Sequence, residues 1–132
     1  MLVCTLVLAV AVIGGATYYA ANHFLTTSPS TQAKVVSCKD TGTKHLVIIK
    51  NSIMTPTHIN GTLCDTLTIT NDDNRLRLIA FGPHDHHTPY DGTIEKSLGQ
   101  WQSVTVTLNQ AGSYTFHDHL EDWLIGTFSV SN

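Results

Sequence analysis

The fold expected for this chain is determined by one stretch near its C-terminus, YTFHDHLEDWLIGTFSV, residues 114–130. It begins with strand-like alternation, in which Tyr114 and Phe116 share one face of an extended chain. The alternation resumes after a central glycine. Side chains two positions apart in a strand point the same way, so His117 and His119 can present two imidazoles to one point.

A second group of histidines, His84, His86 and His87, lies upstream in a stretch flanked by glycine and proline. Histidine is the commonest metal ligand, and the chain has 8 histidines against 7 lysines and arginines. Two separated clusters, one at a strand end and one in a loop, predict a metal site. We assign the ligands to His84, His87, His117 and His119, because positions i and i+3 converge in a turn. His86 stays open as a replacement for His84 or His87.

Other polar residues near these clusters are given lesser roles. Acidic side chains can accept hydrogen bonds from imidazole N–H groups and so orient the ligands. The candidates are Asp85, Asp118, Glu121 and Asp122, although simple solvation explains Asp85 and Glu121 equally well. Trp123 is expected to cover the site or pack the loop. The isolated histidines are expected in the linker, at the surface or at the edge of the core: His23, His45 and His58.

The N-terminal segment, residues 1–21, predicts a location outside the cytoplasm. Leu2 to Ala21 is about twenty residues without a charge, the length that an apolar helix needs to cross a bilayer. A cleaved signal peptide is the alternative, but no Lys or Arg precedes the run and small-residue cleavage sites are poor. We favour an uncleaved membrane anchor with the domain outside the cytoplasm. Signal cleavage would instead give a secreted or periplasmic protein.

The cysteines and the net charge agree with an exported binding protein. Cys4 lies within the apolar run, which leaves Cys38 and Cys64 as one pair in a chain bound for an oxidising compartment. We therefore predict a disulfide between them in preference to two free thiols. The formal net charge of -3, without a basic stripe, gives no reason to expect a nucleic-acid partner.

The rest of the chain predicts a linker over residues 22–42 and one β domain over residues 43–132. Short alternating or β-branched runs end in turn formers, and no segment after the apolar run has a helical period. Residues 51–61 are expected to be a turn region, and residues 82–99 a long irregular loop. Residues 109–112 predict a hairpin turn. The pattern indicates an all-β sandwich or small barrel.

Residues 45–130 resemble a cupredoxin, the Greek-key sandwich of plastocyanin and amicyanin. TITNDD at residues 68–73 resembles the strand that ends in Asn-x-Asp before the first copper-binding His. AGSYTF at 111–116 resembles the Gly-x-Tyr-x-Phe that leads to the copper cysteine, and GTFSV at 126–130 resembles the closing strand. The resemblance implies an all-β, cupredoxin-like Greek-key β-sandwich or barrel, preceded here by an N-terminal hydrophobic helix.

The chain departs from this family at the ligands of the blue-copper site. When this sequence is aligned with the cupredoxin pattern at Tyr114 and Gly126, Asp118 occupies the position of the copper-binding cysteine. An amicyanin-length loop then places Glu121 at the second His and Leu124 at the axial Met. Because a thiolate is absent, no blue-copper site is expected.

FHDH, residues 116–119, is similar instead to the His-x-His strand of multicopper-oxidase domains, where an upstream His pair completes the copper site. The likeness implies a stand-alone cupredoxin-like domain with an all-histidine mononuclear site. Imidazoles suit copper, zinc and nickel. Copper is our first choice because of the resemblance, and zinc is the second because four histidines can also be tetrahedral.

The function that follows is an extracytoplasmic copper-binding protein that handles copper, with a copper-transfer or redox protein as a partner. An electron carrier is a weaker alternative, because copper with only nitrogen ligands changes geometry between its oxidation states. A small type 2 copper redox enzyme is a further alternative, but no acid or base beyond the site supports a substrate. The last alternative is an adhesion or scaffold domain that binds no metal.

Overall fold

The structure, a computed structural model, describes Ala33–Asn132. These residues form nine strands: β1 (Lys44–Lys50), β2 (Ile53–Thr55), β3 (His58–Thr62), β4 (Thr66–Asn71), β5 (Arg77–Phe81), β6 (Glu95–Leu98), β7 (Ser103–Thr107), β8 (Gly112–Asp118) and β9 (Ile125–Ser131). Within this part of the chain, no helix is long and apolar enough to cross a membrane. The predicted anchor or signal segment, residues 1–21, lies outside the described residues, as does the linker as far as residue 32.

The strands form two sheets that face each other. One sheet has the order β2-β1-β4-β7 and the other the order β3-β9-β8-β5-β6. β1 pairs with β4, and β3 with β9, in parallel, whereas β8 is antiparallel to both β9 and β5. The all-β sandwich predicted from the alternation is confirmed.

The core between the sheets follows from side-chain alternation. Leu67 and Ile69 of β4 are fully buried, while Thr68 and Thr70, which alternate with them, face outward and bond to hydroxyls of β7. The opposite sheet contributes Phe81, Phe116 and Phe128, whose ring centroids lie 6.3–6.4 Å apart. Burying one large apolar side chain stabilises a fold by about 1.5–3 kcal/mol, so these side chains hold the sheets together.

Three short strands and one connection differ from the sequence prediction. β2 and β3 lie in the expected turn region, and β6 lies within the expected irregular loop. Residues 109–112 are not a hairpin turn, because β7 pairs with β4 in one sheet while β8 belongs to the other. These strands depend on neighbours that are distant in sequence, and local alternation over three to five residues cannot reveal such pairing.

Cys38 and Cys64 form the predicted disulfide. It ties the segment before β1 to the turn between β3 and β4. Two backbone hydrogen bonds act with it: Val36 N donates to Asn109 O at 2.8 Å, and Gly42 N donates to Cys64 O at 2.8 Å. Residues 33–42 contain no strand, yet these bonds attach them to the sandwich.

We expect loss of this disulfide to lower the free energy of unfolding by about 3 kcal/mol, because the bond closes a loop and so restricts the unfolded chain. The sequence separation of the two cysteines is 26. Urea unfolding of the protein with Cys38→Ser and Cys64→Ser, compared with the oxidised parent, measures the difference. An unchanged urea midpoint would contradict the expectation.

Candidate metal centre

The four histidines assigned from the sequence lie together over β5 and β8. His117 is in β8 and His119 follows it, while His84 and His87 lie in the loop after β5. His87, His117 and His119 each offer a ring nitrogen, and these nitrogens all lie within 4.8 Å of one another. The ring centroid of His84 is 4.9 Å from that of His119 and 5.4 Å from that of His117. The structure therefore brings all four imidazoles to one place.

The other histidines of the described chain lie outside this group. The ring centroid of His84 is 6.5 Å from that of His87, which places these two histidines in one group, and His86 is exposed in the same loop. His45 contacts Asp65 at 2.9 Å, and His58 contacts Thr127 and an asparagine on its own strand. His23 lies outside the described residues.

His117 is held by the loop carbonyl of Gly82. Its Nδ1 is 3.1 Å from Gly82 O, and a carbonyl only accepts, so Nδ1 carries the proton and Nε2 carries the lone pair. Nε2 is buried and has no hydrogen-bond partner among the described residues. Burial lowers the pKa of His117 below its ordinary value of 6.5, and the neighbouring His87, His84 and His119 lower it further, whereas the Gly82 bond raises it. The neutral ring, which is the form that binds metal, is favoured.

Gly82 is required by the tight loop that supplies this carbonyl. Its φ is +90°, a conformation that L side chains rarely adopt. A Cβ at this position would also lie 2.5 Å from the backbone nitrogen of Thr88 and 2.9 Å from the carbonyl oxygen of His86. The Gly/Pro flank noted in the sequence thus has a specific role, because it lets the histidine loop fold close to β8.

Glu95 of β6 serves two of the histidines with one oxygen. Its Oε1 is 3.0 Å from His119 Nδ1 and 2.7 Å from His87 Nδ1. A carboxylate only accepts, so both Nδ1 atoms carry protons and both Nε2 atoms are left with lone pairs. The hydrogen bond from His119, with further help from His87, holds the pKa of Glu95 below its ordinary value. The sequence did not identify Glu95 as a site residue, because the segment that forms β6 was predicted to be part of an irregular loop.

These features fit a metal ion that accepts imidazole nitrogen. In His87, His117 and His119 the Nδ1 atom is engaged by an acceptor, which fixes the tautomer and leaves Nε2 as the available ligand. Nε2 of His87, like that of His117, is buried without a partner among the described residues. Buried polar atoms are nearly always paired, so two unpartnered ring nitrogens in one cluster fit the donor set that a metal ion needs.

We expect Glu95→Gln to weaken metal binding at this site roughly 10- to 100-fold, the usual effect of removing the acceptor behind a metal-ligating histidine. An amide has one acceptor oxygen and no charge, so it cannot hold both Nδ1–H groups as firmly. Competition titration with a copper chelator at pH 7.5 measures the affinity. Asp85→Asn is the matched control, because it removes the same charge from an exposed position in the loop that precedes β6. If both variants lost the same affinity, the effect of Glu95 would come from its net charge and not from its contacts with the two histidines.

Asp118 and Glu121 do not orient the histidines as the sequence suggested. Asp118 is fully buried, and its Oδ2 accepts a hydrogen bond from Arg77 Nη1 at 2.9 Å. Glu121 pairs with the same guanidinium and also with Arg75. Two positions that the resemblance aligns with blue-copper ligands therefore surround an arginine. Leu124, aligned with the axial Met, is buried in the core.

Asp118 nevertheless contributes to the site by fixing the backbone that bears two of the clustered histidines. Its Oδ1 accepts from the backbone nitrogens of Leu78 at 3.0 Å and Leu120 at 3.1 Å. Together with the Arg77 bond, these contacts attach the end of β8 to β5. His117 and His119 flank Asp118, so their backbone positions are fixed from inside the core.

Asp122 and Trp123 lie at the outer side of the site. Asp122 Oδ1 is 3.4 Å from His84 Nδ1, and both side chains are exposed. Trp123 is 71% exposed, so the expectation that it covers the site or packs the loop is wrong. The loop is held by the Glu121 and Asp118 contacts instead, which leaves the indole free to face solvent.

Solved structures share this fold, whereas no family model and no curated protein matches the sequence. A purple cupredoxin from Nitrosopumilus maritimus is 18% identical with a TM-score of 0.53, and the match covers 66% of this chain and 99% of that one. Amicyanin from Paracoccus versutus is 16% identical with a TM-score of 0.55, over 73% of this chain and 85% of its own. The reduced state of an amicyanin mutant is 18% identical with a TM-score of 0.55, over 80% and 97%. The described part of the chain therefore has the cupredoxin-like fold that the sequence motifs implied.

Proposed function

We propose that this protein binds one copper ion through His84, His87, His117 and His119 and handles copper outside the cytoplasm. The main support is that three of these rings are held in the same way and converge on one point. In each, Nδ1 is engaged by a carbonyl or carboxylate, while a ring nitrogen of each lies within 4.8 Å of the others. Four convergent imidazoles would give the ion an all-nitrogen environment with one carboxylate behind it.

Copper is preferred on two grounds. Neutral imidazole is a good ligand for copper, although zinc, the second choice, also accepts it. The fold is the one shared with amicyanin, whose solved structures include Cu(I) forms. When bound, copper would supply an ion that can change oxidation state or be passed to another ligand set. The chain's own residues supply the tautomers, the buried wall at His117 and the charge of Glu95.

The proposed location rests on the disulfide and on the N-terminal sequence. A disulfide persists in oxidising compartments, and Cys38 and Cys64 form one. The apolar run of residues 1–21 supports a membrane anchor, with a cleaved signal segment as the alternative. Both alternatives place the β-sandwich outside the cytoplasm.

Electron transfer is the second candidate, because exposed apolar side chains lie on the loop and strand next to His119. Leu120 is 55%, Trp123 71% and Ile125 54% exposed. Such side chains can contact a redox protein transiently. Electron transfer through a copper site without a thiolate ligand would be slow. We therefore expect slow electron self-exchange if the protein handles copper, and fast self-exchange if it is an electron carrier. Enzymatic redox chemistry is the weaker alternative, since the site has no further acid or base assigned to a substrate.

Metal analysis and EPR spectroscopy of the purified protein test the proposal. We expect one copper per chain and a wide parallel hyperfine splitting for Cu(II). The solution should be nearly colourless, because imidazoles and not a thiolate would hold the ion, and the intense blue absorption needs a thiolate. A strong blue colour, or no copper retained after equimolar loading and gel filtration at pH 7.5, would refute the site.

A further inference from the structure

We propose that His84 is an exchangeable ligand of this centre, and that its position beside Asp122 accepts an imidazole supplied by another molecule. The inference rests on the proposed copper function. It adds the route by which copper would enter or leave: one ligand of the four can be replaced while the other three hold the ion.

His84 differs from the other three histidines in how it is held. Its side chain is 48% exposed, compared with 16% for His87 and 35% for His119, and its ring centroid is 6.5 Å from that of His87. Its polar contact is Asp122 at 3.4 Å, and that side chain is itself 63% exposed. His117 is held by a buried carbonyl and the other two by Glu95, so His84 is the member with least restraint.

A cavity lies beside this weakly held ring. It has a volume of about 230 Å³, and its lining includes Pro83, His84, His117, Asp122 and Ile125. A single water needs roughly 10–15 Å³ of such space, so a ligand of several heavy atoms can enter. Because His84 and His117 both border the cavity, a molecule there would lie next to the ligand that leaves and a ligand that stays.

The residues around the cavity favour an imidazole over a small anion. An incoming ligand that replaces His84 needs a lone pair for the metal and an N–H for the Asp122 carboxylate. Neutral imidazole carries both on one ring. Anions such as azide or nitrite lack the N–H and would be repelled by the carboxylate. The exchange would replace the His84 nitrogen by the nitrogen of the incoming imidazole, and no electron or proton would be transferred.

His84→Ala loaded with Cu(II) is the test, with free imidazole as the probe. We expect the variant to retain copper with an altered EPR signal, and imidazole to restore the parent signal. 1-Methylimidazole should bind roughly three- to tenfold more weakly, because it coordinates but has no N–H to donate to Asp122. This preference should disappear in His84→Ala with Asp122→Ala. His86→Ala, an exposed position outside the cluster, should leave the parent signal unchanged.

Two outcomes would overturn the inference while leaving the copper site intact. One is a His84→Ala signal identical to that of the parent, which would remove His84 from the ligand set. The other is loss of copper from His84→Ala that imidazole does not reverse, which would make His84 a fixed ligand. A parent protein that binds no copper would instead refute the proposed function. A peptide with one histidine, set against its alanine counterpart, extends the test to protein side chains and should act as imidazole does.

Discussion

Arg77→Met is expected to destabilise the protein by about 3–5 kcal/mol, the usual cost of removing one member of a buried ion pair. Arg77 is fully buried, and its guanidinium contacts Asp73, Asp118 and Glu121. The variant would leave three carboxylates around an apolar side chain. Urea unfolding at pH 7 measures the loss, which is large beside a total stability of about 5–15 kcal/mol for a domain.

Arg75→Met is the matched control, because Arg75 pairs with Glu121 from the surface. Its side chain is 59% exposed, and exposed pairs contribute about 0–1 kcal/mol. The two variants remove the same charge from positions two residues apart, so only burial and the number of partners differ. Similar losses in both would show that the internal network does not stabilise the fold.

The free energy of unfolding that Arg77→Met loses relative to the parent should also depend on pH, which gives a second check. We call this loss the deficit. Burial raises the pKa of Asp73, but the hydrogen bond from Arg77 and those from two backbone N–H groups leave it below 3.8. The Arg77 bond likewise holds the pKa of Glu121 below 4.5. In the parent, this stabilisation is present above the unfolded pKa values near 4 and is lost as pH falls through the lower folded values.

Without Arg77 the sign reverses, because the folded pKa values then rise above the unfolded ones and protonation relieves the buried charge. The deficit of Arg77→Met relative to the parent should therefore shrink between pH 7 and pH 5. Unfolding at both pH values measures this. A deficit that grows toward pH 5 would contradict the explanation.

The sequence was sufficient for the parts of this protein that depend on local pattern. Alternation predicted the long strands, and His-x-His on a strand predicted that His117 and His119 act together. Spacing in a turn then selected His84 and His87, and the structure brings these four rings together. The cysteine pair was predicted from the compartment, and the bond between Cys38 and Cys64 is present.

The remaining parts depend on which face of a strand is buried and which distant strand pairs with it. In β5 the alternation of Leu78 with Arg77 identifies two faces but not the inner one, and the structure buries Arg77 while Leu76 is 56% exposed. An arginine is rarely buried unless it is paired, and its partners lie 4, 41 and 44 residues away. Glu95 reaches the histidines only because β6 pairs with β5.

The largest effect on metal binding is expected from His117→Ala combined with His119→Ala. The pair removes two of the three histidines whose ring nitrogens lie within 4.8 Å of one another, so specific copper binding should be lost. A ligand that binds only the folded state stabilises it by about 2.7 kcal/mol at a hundredfold excess over Kd. For a domain of this size that is roughly 10–20 °C in Tm. Thermal melts with and without Cu(II) should show this increment in the parent and in His86→Ala, and not in the double variant.

Acid should abolish the same increment, because protons compete with copper for imidazole nitrogen. Free histidine titrates near pH 6.5, so the increment should be large at pH 7.5 and nearly absent at pH 5. His117 opposes this trend, since burial and the neighbouring imidazoles lower its pKa and keep it neutral further into acid. Ligation by carboxylates, a class of group that ordinarily ionises near pH 4, would instead preserve the increment at pH 5. Equal increments at the two pH values would therefore exclude a histidine site. Loss of the increment at pH 5 in the parent and in Asp85→Asn alike would support it.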